Sequence, residues 1–400
     1  MKGLPRTNKF SFRALLLYLS YFGICIYLVI AVVIDSKQEL WKFTQIPEPL
    51  LPKFPDLRHI QGILEVPTSN PLVSNPGDPW GRPMPYPTIW IYIGKVLGLK
   101  SDHNVLILGT CLAVALMICF SIFMKLTKSF LLLLCFASSS TLLLIQRGNV
   151  DSGIFIFCSI WAVCSSQKLR DFIAILLTLL KIFPVVLLAW RGKGALLNSV
   201  LLLFLPVTLF LYPQYSLLAN SNLASGKYSY GRSVFKEYFF GQIQFEHSRI
   251  FLNVLVVIVL LVIALIIKFI SQGHLVEPIA KNLDSWQEMM FIAGSLIYCS
   301  TFLFTTNWDY RTIFLTLSVP YILLFPFRHR VIVGTFLLAS MNSIYMDALF
   351  ESWGGVINQM SKGVVFSYFI AIWFIILKQR IPKPVSLAND FIRKRKGAVE

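Results

Sequence analysis

The sequence predicts an all-α, polytopic transmembrane helical bundle with about ten spans plus one re-entrant or broken hairpin. Three observations predict it. Of 400 residues, 56% are hydrophobic and 14% charged, more apolar surface than a soluble core of this size hides. Runs of about 20 mostly apolar residues, enough to cross a hydrocarbon core about 30 Å thick, recur along the whole chain. The excess positive charge, +17, collects in the short segments between those runs and at both ends, as in a positive-inside membrane protein. That placement makes membrane lipid the expected partner and argues against nucleic acid.

The elements follow in order. Lys2, Arg6, Lys9 and Arg13 precede the first span, residues 13–34, so the N-terminus is expected in the cytoplasm. That apolar run is too long for a cleaved signal peptide, and no small-residue cleavage site follows it, so it reads as a retained anchor. Residues 35–87, rich in Pro and Trp, form a polar outer segment. Residues 88–98 (TIWIYIGKVLG) are amphipathic, too short to cross, and expected at the interface. Together these make a first extracytoplasmic loop, 35–103, with interfacial helices. Spans follow at 104–124, 129–146 and 152–166, leaving Lys125, Lys128, Lys168 and Arg170 inside and RGNVD, 147–151, outside.

Residues 172–190 are long enough to span, but Lys181 and Pro184 interrupt the centre and basic residues flank both ends. Crossing would strand one basic cluster outside, so a re-entrant or broken hairpin is expected. A span at 194–212 leads to a second outer loop, 213–249, then spans at 250–270, 288–306, 311–327, 331–350 and 360–378. The tail, 379–400, carries Arg393, Lys394, Arg395 and Lys396 and is expected in the cytoplasm. The whole chain, 1–400, is then a single transmembrane domain of a cell membrane. No internal repeat is visible, which weakly disfavours a secondary transporter.

Four polar clusters stand out, and span parity sends all four to the outer face or near it. Asp56 lies in the first outer loop, either a solvated loop acid or a carboxylate returned to the membrane surface. NPGDPWGRPMPYPTIW, 75–90, is dense in Pro and Gly and hence stiff; it holds Asp78, Arg82 and Tyr86. RGNVD carries Arg147, Asn149 and Asp151; a local Arg–Asp pair closing a turn is the plain reading, and Arg147 facing a lipid headgroup the functional one. Lys181 either snorkels to an interface or waits for a phosphate. In TTNWDYR, 305–311, Asn307 or Asp309 is placed to cap a helix, with Tyr310 and Arg311 following. Trp80, Tyr86 and Trp90 suit either an interface belt or stacking on a sugar.

The seven cysteines all lie in apolar runs, with no CxxC and no Cys/His cluster, so neither metal nor disulfide is expected. No Walker A, GxSxG or HExxH pattern appears, and no cofactor is expected.

RGNVD, then KIFP (181–184), then NWDYRTIFL (307–315), in that order and spacing, resemble the bacterial GT-C membrane glycosyltransferases, in particular the polyprenyl-phosphate-mannose-dependent mannosyltransferase-like group. The resemblance covers about residues 50–330. It implies an early loop acid at Asp56, a Tyr-Pro element at 86–89, and the motifs carrying Arg147, Asn149, Asp151, Lys181, Asn307 and Arg311. The Tyr-Pro element departs from the group's pattern, reading YPTI, with Asp78 and Arg82 just before it; Asp78 is therefore a rival catalytic acid. The implied site is bacterial inner membrane.

The implied reaction moves a sugar, mannose or another hexose, from a polyprenyl-phosphate donor to the hydroxyl of a lipid or glycan acceptor on the extracytoplasmic side. Asp56 would be the single general base and the product inverted. Arg147, Lys181 and Arg311 would hold the donor phosphate. Arg82, Tyr86, Asn149, Asp151, Asn307, Asp309 and Tyr310 would line the substrates. The rivals are a lipid-linked sugar flippase or transporter, which needs cations but no base, and a glycan polymerase.

Overall fold

The computed structural model describes residues 12–35, 39–46, 52–79, 81–190, 229–240, 249–304 and 307–380. The expected span at 194–212, most of the second outer loop, Trp80 and the basic tail lie outside them.

The regular structure of the described chain is helical apart from two short strands. Among the described residues four helices are long and apolar enough to cross a membrane, or six if each of two bent pairs is one span. The four are α1 (Phe12–Val29), extended to Ile34 by one wider turn, α4 (Asp102–Thr127), α10 (Arg249–Lys281) and α15 (Gly354–Arg380). They play different parts. α15 has 72% of its apolar window buried and is a central pillar; α10 has 22% and offers most of its surface outward.

The expected span 152–166 is only a 13-residue apolar helix, Asp151–Val163, and three further expected spans take another form. Residues 129–146 are two helices, α5 (Phe130–Phe136) and α6 (Ser139–Arg147), bent by 43°; 331–350 are α13 (Phe327–Met341) and α14 (Ser343–Phe350), bent by 91°. The two breaks meet. Ser139 N donates to Asn342 Oδ1 at 3.0 Å, and Ser139 Oγ donates to the Met341 carbonyl at 3.3 Å. Each bend thus partners backbone groups that the other frees, a requirement away from water. Ser138 accepts from Thr141 N at 3.3 Å and caps the second half of its pair. Residues 311–327 are the third departure: a tight 3-10 helix, Asp309–Ser318, runs into the short α12 (Val319–Ile322). It packs on α11 (Trp286–Phe304), whose Gly294 has no room for a methyl group 2.5 Å from the Phe314 carbonyl.

The interrupted stretch breaks at the expected lysine. α8 (Gln167–Leu180) stops at Lys181, and a 3-10 helix resumes at Phe183–Ala189 with Pro184 in its first turn. The segment expected as the first outer loop is folded over the helices. α2 (Pro55–Glu65) is buried from Pro55 to Ile63, and α3 (Ile89–Val96) keeps Tyr92 and Val96 exposed on one side, as suits an interfacial helix. Residues 71–84 fold onto α2 through a glycine-to-glycine contact: a Cβ on Gly77 would lie 2.2 Å from the Gly62 carbonyl oxygen. The two strands, β1 (Ser229–Tyr230) and β2 (Asn307–Trp308), pair antiparallel. The helix α9 (Arg232–Phe240) follows β1.

Candidate functional site

Asp56 is set in place by the residue two before it. Phe54 adopts a left-handed conformation (φ 59°) at the N-terminus of α2, and Pro55 opens the helix. Its ring occupies the space of two missing side chains: a Cβ on Gly109 or on Gly148 would come within 2.3 or 2.7 Å of it. Asp56 falls in the first turn, where a carboxylate suits the helix dipole, directly over the RGNVD turn. Its side chain is 8% exposed, so it is no solvated loop acid.

The RGNVD turn joins two helices end to end. Arg147 closes α6, and Gly148 (φ 60°) provides the left-handed residue that ends it. Asp151 opens α7 (Asp151–Val163). Between them Asn149 Oδ1 accepts from Asp151 N at 2.8 Å, which fixes the orientation of the amide. Its Nδ2 therefore points at Asp56 Oδ2, 2.5 Å away, with the Tyr86 hydroxyl at 3.4 Å.

Two acidic centres result. At the first, Asp56 Oδ1 lies 3.8 Å from Arg147 Nη1 and 3.9 Å from Arg82 Nη1. The Arg147 guanidinium also lies over the Trp308 ring, 6.0 Å from its centroid. At the second, Asp151 accepts from Lys181 Nζ at 2.5 Å and from Arg311 Nε at 3.1 Å. Arg311 also donates to Asn307 Oδ1, whose own amide nitrogen donates to the Thr301 carbonyl at 2.7 Å. The plain readings at Asp151 and Lys181 are thereby corrected. Arg147 does not close a local pair with Asp151, and Lys181 does not snorkel: it is 4% exposed, under the Tyr86 ring at 5.0 Å.

Asp78 is committed elsewhere. It accepts from Arg82 through Nε at 3.1 Å, Nη2 at 3.0 Å and the backbone N at 3.0 Å, and its side chain is fully buried. Burial would raise its carboxyl, but these Arg82 contacts outweigh that and hold it below the ordinary carboxylate range. His59 Nδ1 is 3.7 Å from Asp78, and burial, with Arg82 nearby, pushes the imidazole down to about 4, so it is neutral. Across both centres three carboxylates (Asp56, Asp78, Asp151) meet four cations (Arg82, Arg147, Lys181, Arg311), a net charge of +1. Lys181 and Arg311 spend their charge on Asp151. Arg82 and Arg147, with side chains 27% and 23% exposed, are the cations reachable from outside.

The 307–311 motif differs from expectation. Neither Asn307 nor Asp309 caps a helix; Asp309 Oδ1 instead accepts from Lys362 Nζ at 2.6 Å, a pair with both side chains buried. Tyr310 is 7% exposed. Trp90 donates through Nε1 to the Leu180 carbonyl at 2.8 Å and is 8% exposed, so it pins α3 to α8 and offers no free ring face. Sequence reasoning misses Lys362; the available signal is a lone lysine inside the last apolar run. It also misses Trp308 and His59.

An open groove of about 670 Å³ lies apart from this centre, lined by Val32, Lys53, Arg58, Asp102, Leu106 and Thr110 among others. Among the described residues no group of three or more His, Cys, Asp or Glu is placed to hold a metal. Comparison with protein-family models, with curated proteins and with solved structures finds no match to this chain.

Proposed function

We propose that the chain is a membrane-embedded glycosyltransferase of the GT-C type. It moves a hexose from a polyprenyl-phosphate donor to an acceptor hydroxyl on the extracytoplasmic side, within a fold of about ten spans whose termini lie in the cytoplasm. The observation that carries the reading is the union of Asp56 with Arg147, 3.8 Å apart, at a point where α2, the RGNVD turn and the Trp308 strand converge.

Asp56 is the general base. The acceptor oxygen attacks the anomeric carbon as Asp56 takes its proton; the bond from that carbon to the phosphate oxygen breaks, and polyprenyl phosphate leaves with the electron pair. One base and one displacement give inversion. Asn149 binds Oδ2 and so fixes the Asp56 carboxylate, and Asp56 makes no bidentate pair that must first be broken, unlike Asp78. The leaving phosphate gains charge and needs cations, not an acid. Arg147 is its first partner, because among the described residues its guanidinium donates no hydrogen bond of its own. Arg82 is the second. Lys181 and Arg311 sit behind Asp151 and act as a fixed positive background.

The test uses proteoliposomes holding the purified chain, radiolabelled polyprenyl-phosphate hexose and membrane lipid extract as acceptor. Label on a new acceptor supports the transferase. Label that crosses the bilayer with its phosphate bond intact means a flippase and overturns the reading.

A further inference from the structure

Lys362 is a charged side chain with no exposed surface, two turns into α15, the most buried of the long helices. A lysine there is costly unless it is used. Its ammonium reaches two separate pieces of chain. Nζ donates to Asp309 Oδ1 at 2.6 Å and to the Ser229 carbonyl at 3.2 Å. One turn earlier, Gln359 Nε2 donates to the same carbonyl at 2.8 Å. Ser229 pairs with Trp308 and Tyr230 with Asn307, so α15 grips β1 directly and β2 through Asp309, the residue that follows it.

The ribbon is held on its other side too. Tyr230 stacks on Tyr298 of α11, and the Tyr298 hydroxyl donates to the carbonyl of Lys362 itself at 2.9 Å. Among the described residues Lys362 is the sole cation within 4 Å of Asp309, and the second carboxylate oxygen, Oδ2, is buried with no hydrogen bond. One residue before Asp309 comes Trp308, over which Arg147 lies. Two residues after it comes Arg311, bound to Asp151.

We propose that Lys362 is a positioning residue for the site: by tying Asp309 to Ser229 it sets the 307–311 segment, and through it the places of Trp308 and Arg311 beside the two acidic centres. It touches no substrate. The proposal rests on the transferase reading for its effect on rate, but not for its effect on the ribbon.

Two variants separate positioning from simple charge neutralisation. Lys362→Met leaves Asp309 buried and unpaired, and failure to fold is one result. Lys362→Met with Asp309→Asn removes both charges, which buried pairs often tolerate, and is the variant that decides. Two readouts are taken on it in proteoliposomes. The first is sugar transfer from polyprenyl-phosphate hexose. The second is maleimide labelling of a Trp308→Cys reporter, with Cys111→Ser removing the exposed native thiol.

The expected result is a folded protein with kcat lower by about a hundredfold and KM nearly unchanged, as for a misplaced but intact site, and faster labelling at position 308. Normal transfer and normal labelling in the double variant overturn the proposal. If the parent chain transfers no sugar, the transferase reading fails alone, and labelling still decides: faster supports positioning by Lys362, unchanged overturns it.

Discussion

Asn149 and Asp56, 93 positions apart, are joined by a 2.5 Å hydrogen bond, and this bond couples the two acidic centres. The same amide accepts from the backbone of Asp151, which holds Lys181 and Arg311. A carboxylate so fixed keeps a lone pair aimed in one direction, which a base needs. Asp56→Asn is therefore expected to lower kcat by about 100- to 10,000-fold while the protein inserts normally. Asp78→Asn, which loosens Arg82 without removing the base, should cost much less. Single-turnover transfer measures both, and equal losses would reverse the assignment.

Arg147 is expected to report on donor binding. Arg147→Ala should lower kcat/KM for the polyprenyl-phosphate donor by about 10- to 100-fold, the worth of a charge-assisted hydrogen bond of about 1.5–3 kcal/mol. Arg147→Lys should recover only part, because an ammonium loses the fork and the planar face that lies over Trp308. An acceptor-only effect in titrations of both substrates would contradict this role.

Gly148 is expected to tolerate no side chain. Its φ of 60° costs an L-residue about 1–2 kcal/mol, and a Cβ there would meet Phe54 Cβ at 2.7 Å. Gly148→Ala should destabilise the protein by about 2 kcal/mol or more and lower transfer, because Phe54 positions Asp56. Gly23, whose Cβ would meet nothing within 4 Å, is the control. Unfolding in mixed micelles compares them.

Asp151 is the load on two buried cations. Asp151→Asn leaves Lys181 and Arg311 without a counter-charge and is expected to cost about 3–5 kcal/mol. Adding Lys181→Met should restore part of that, with a coupling of about 0.5–3 kcal/mol. Additive losses in the double-variant cycle would mean that the ion pair contributes nothing beyond packing.

The elements of this site were legible as residue types, not as pairings. Asp56, Arg147, Asp151, Lys181 and Arg311 stand out because charges beside apolar runs are costly. Which acid meets which cation depends on contacts between Asp56 and Arg147, 91 positions apart, and between Asp151 and Arg311, 160 apart, and no local pattern encodes them. Hence Arg147 faces Asp56, and Asp309 pairs with Lys362 instead of capping. The bent pairs escape for another reason: apolar periodicity is the same in a straight helix and in two halves broken at Ser138 or Asn342. The break at Lys181 was readable, because the proline and the charge are local signals.

His59 and Asp78 together predict how the cap formed by residues 55–84 responds to acid. The folded state holds His59 at about 4, against an ordinary 6.5, through burial first and Arg82 second. Between those values the unfolded chain binds a proton that the folded chain does not, so stability rises with pH across the window and is lost as pH falls through it. The full effect is on the order of 3 kcal/mol, complete below about 4. Asp78, held below its ordinary value of 3.8, adds stability that is present above that value and fades only at still lower pH. The cap should therefore loosen between pH 6.5 and 4 while Asp78 still pairs with Arg82. Protection factors for residues 55–65, taken relative to the intrinsic exchange rate at each pH, are expected to fall as pH drops across that range. His59→Gln, which cannot take the proton, should flatten the response. A slope that persists in that variant would place the titration on another group.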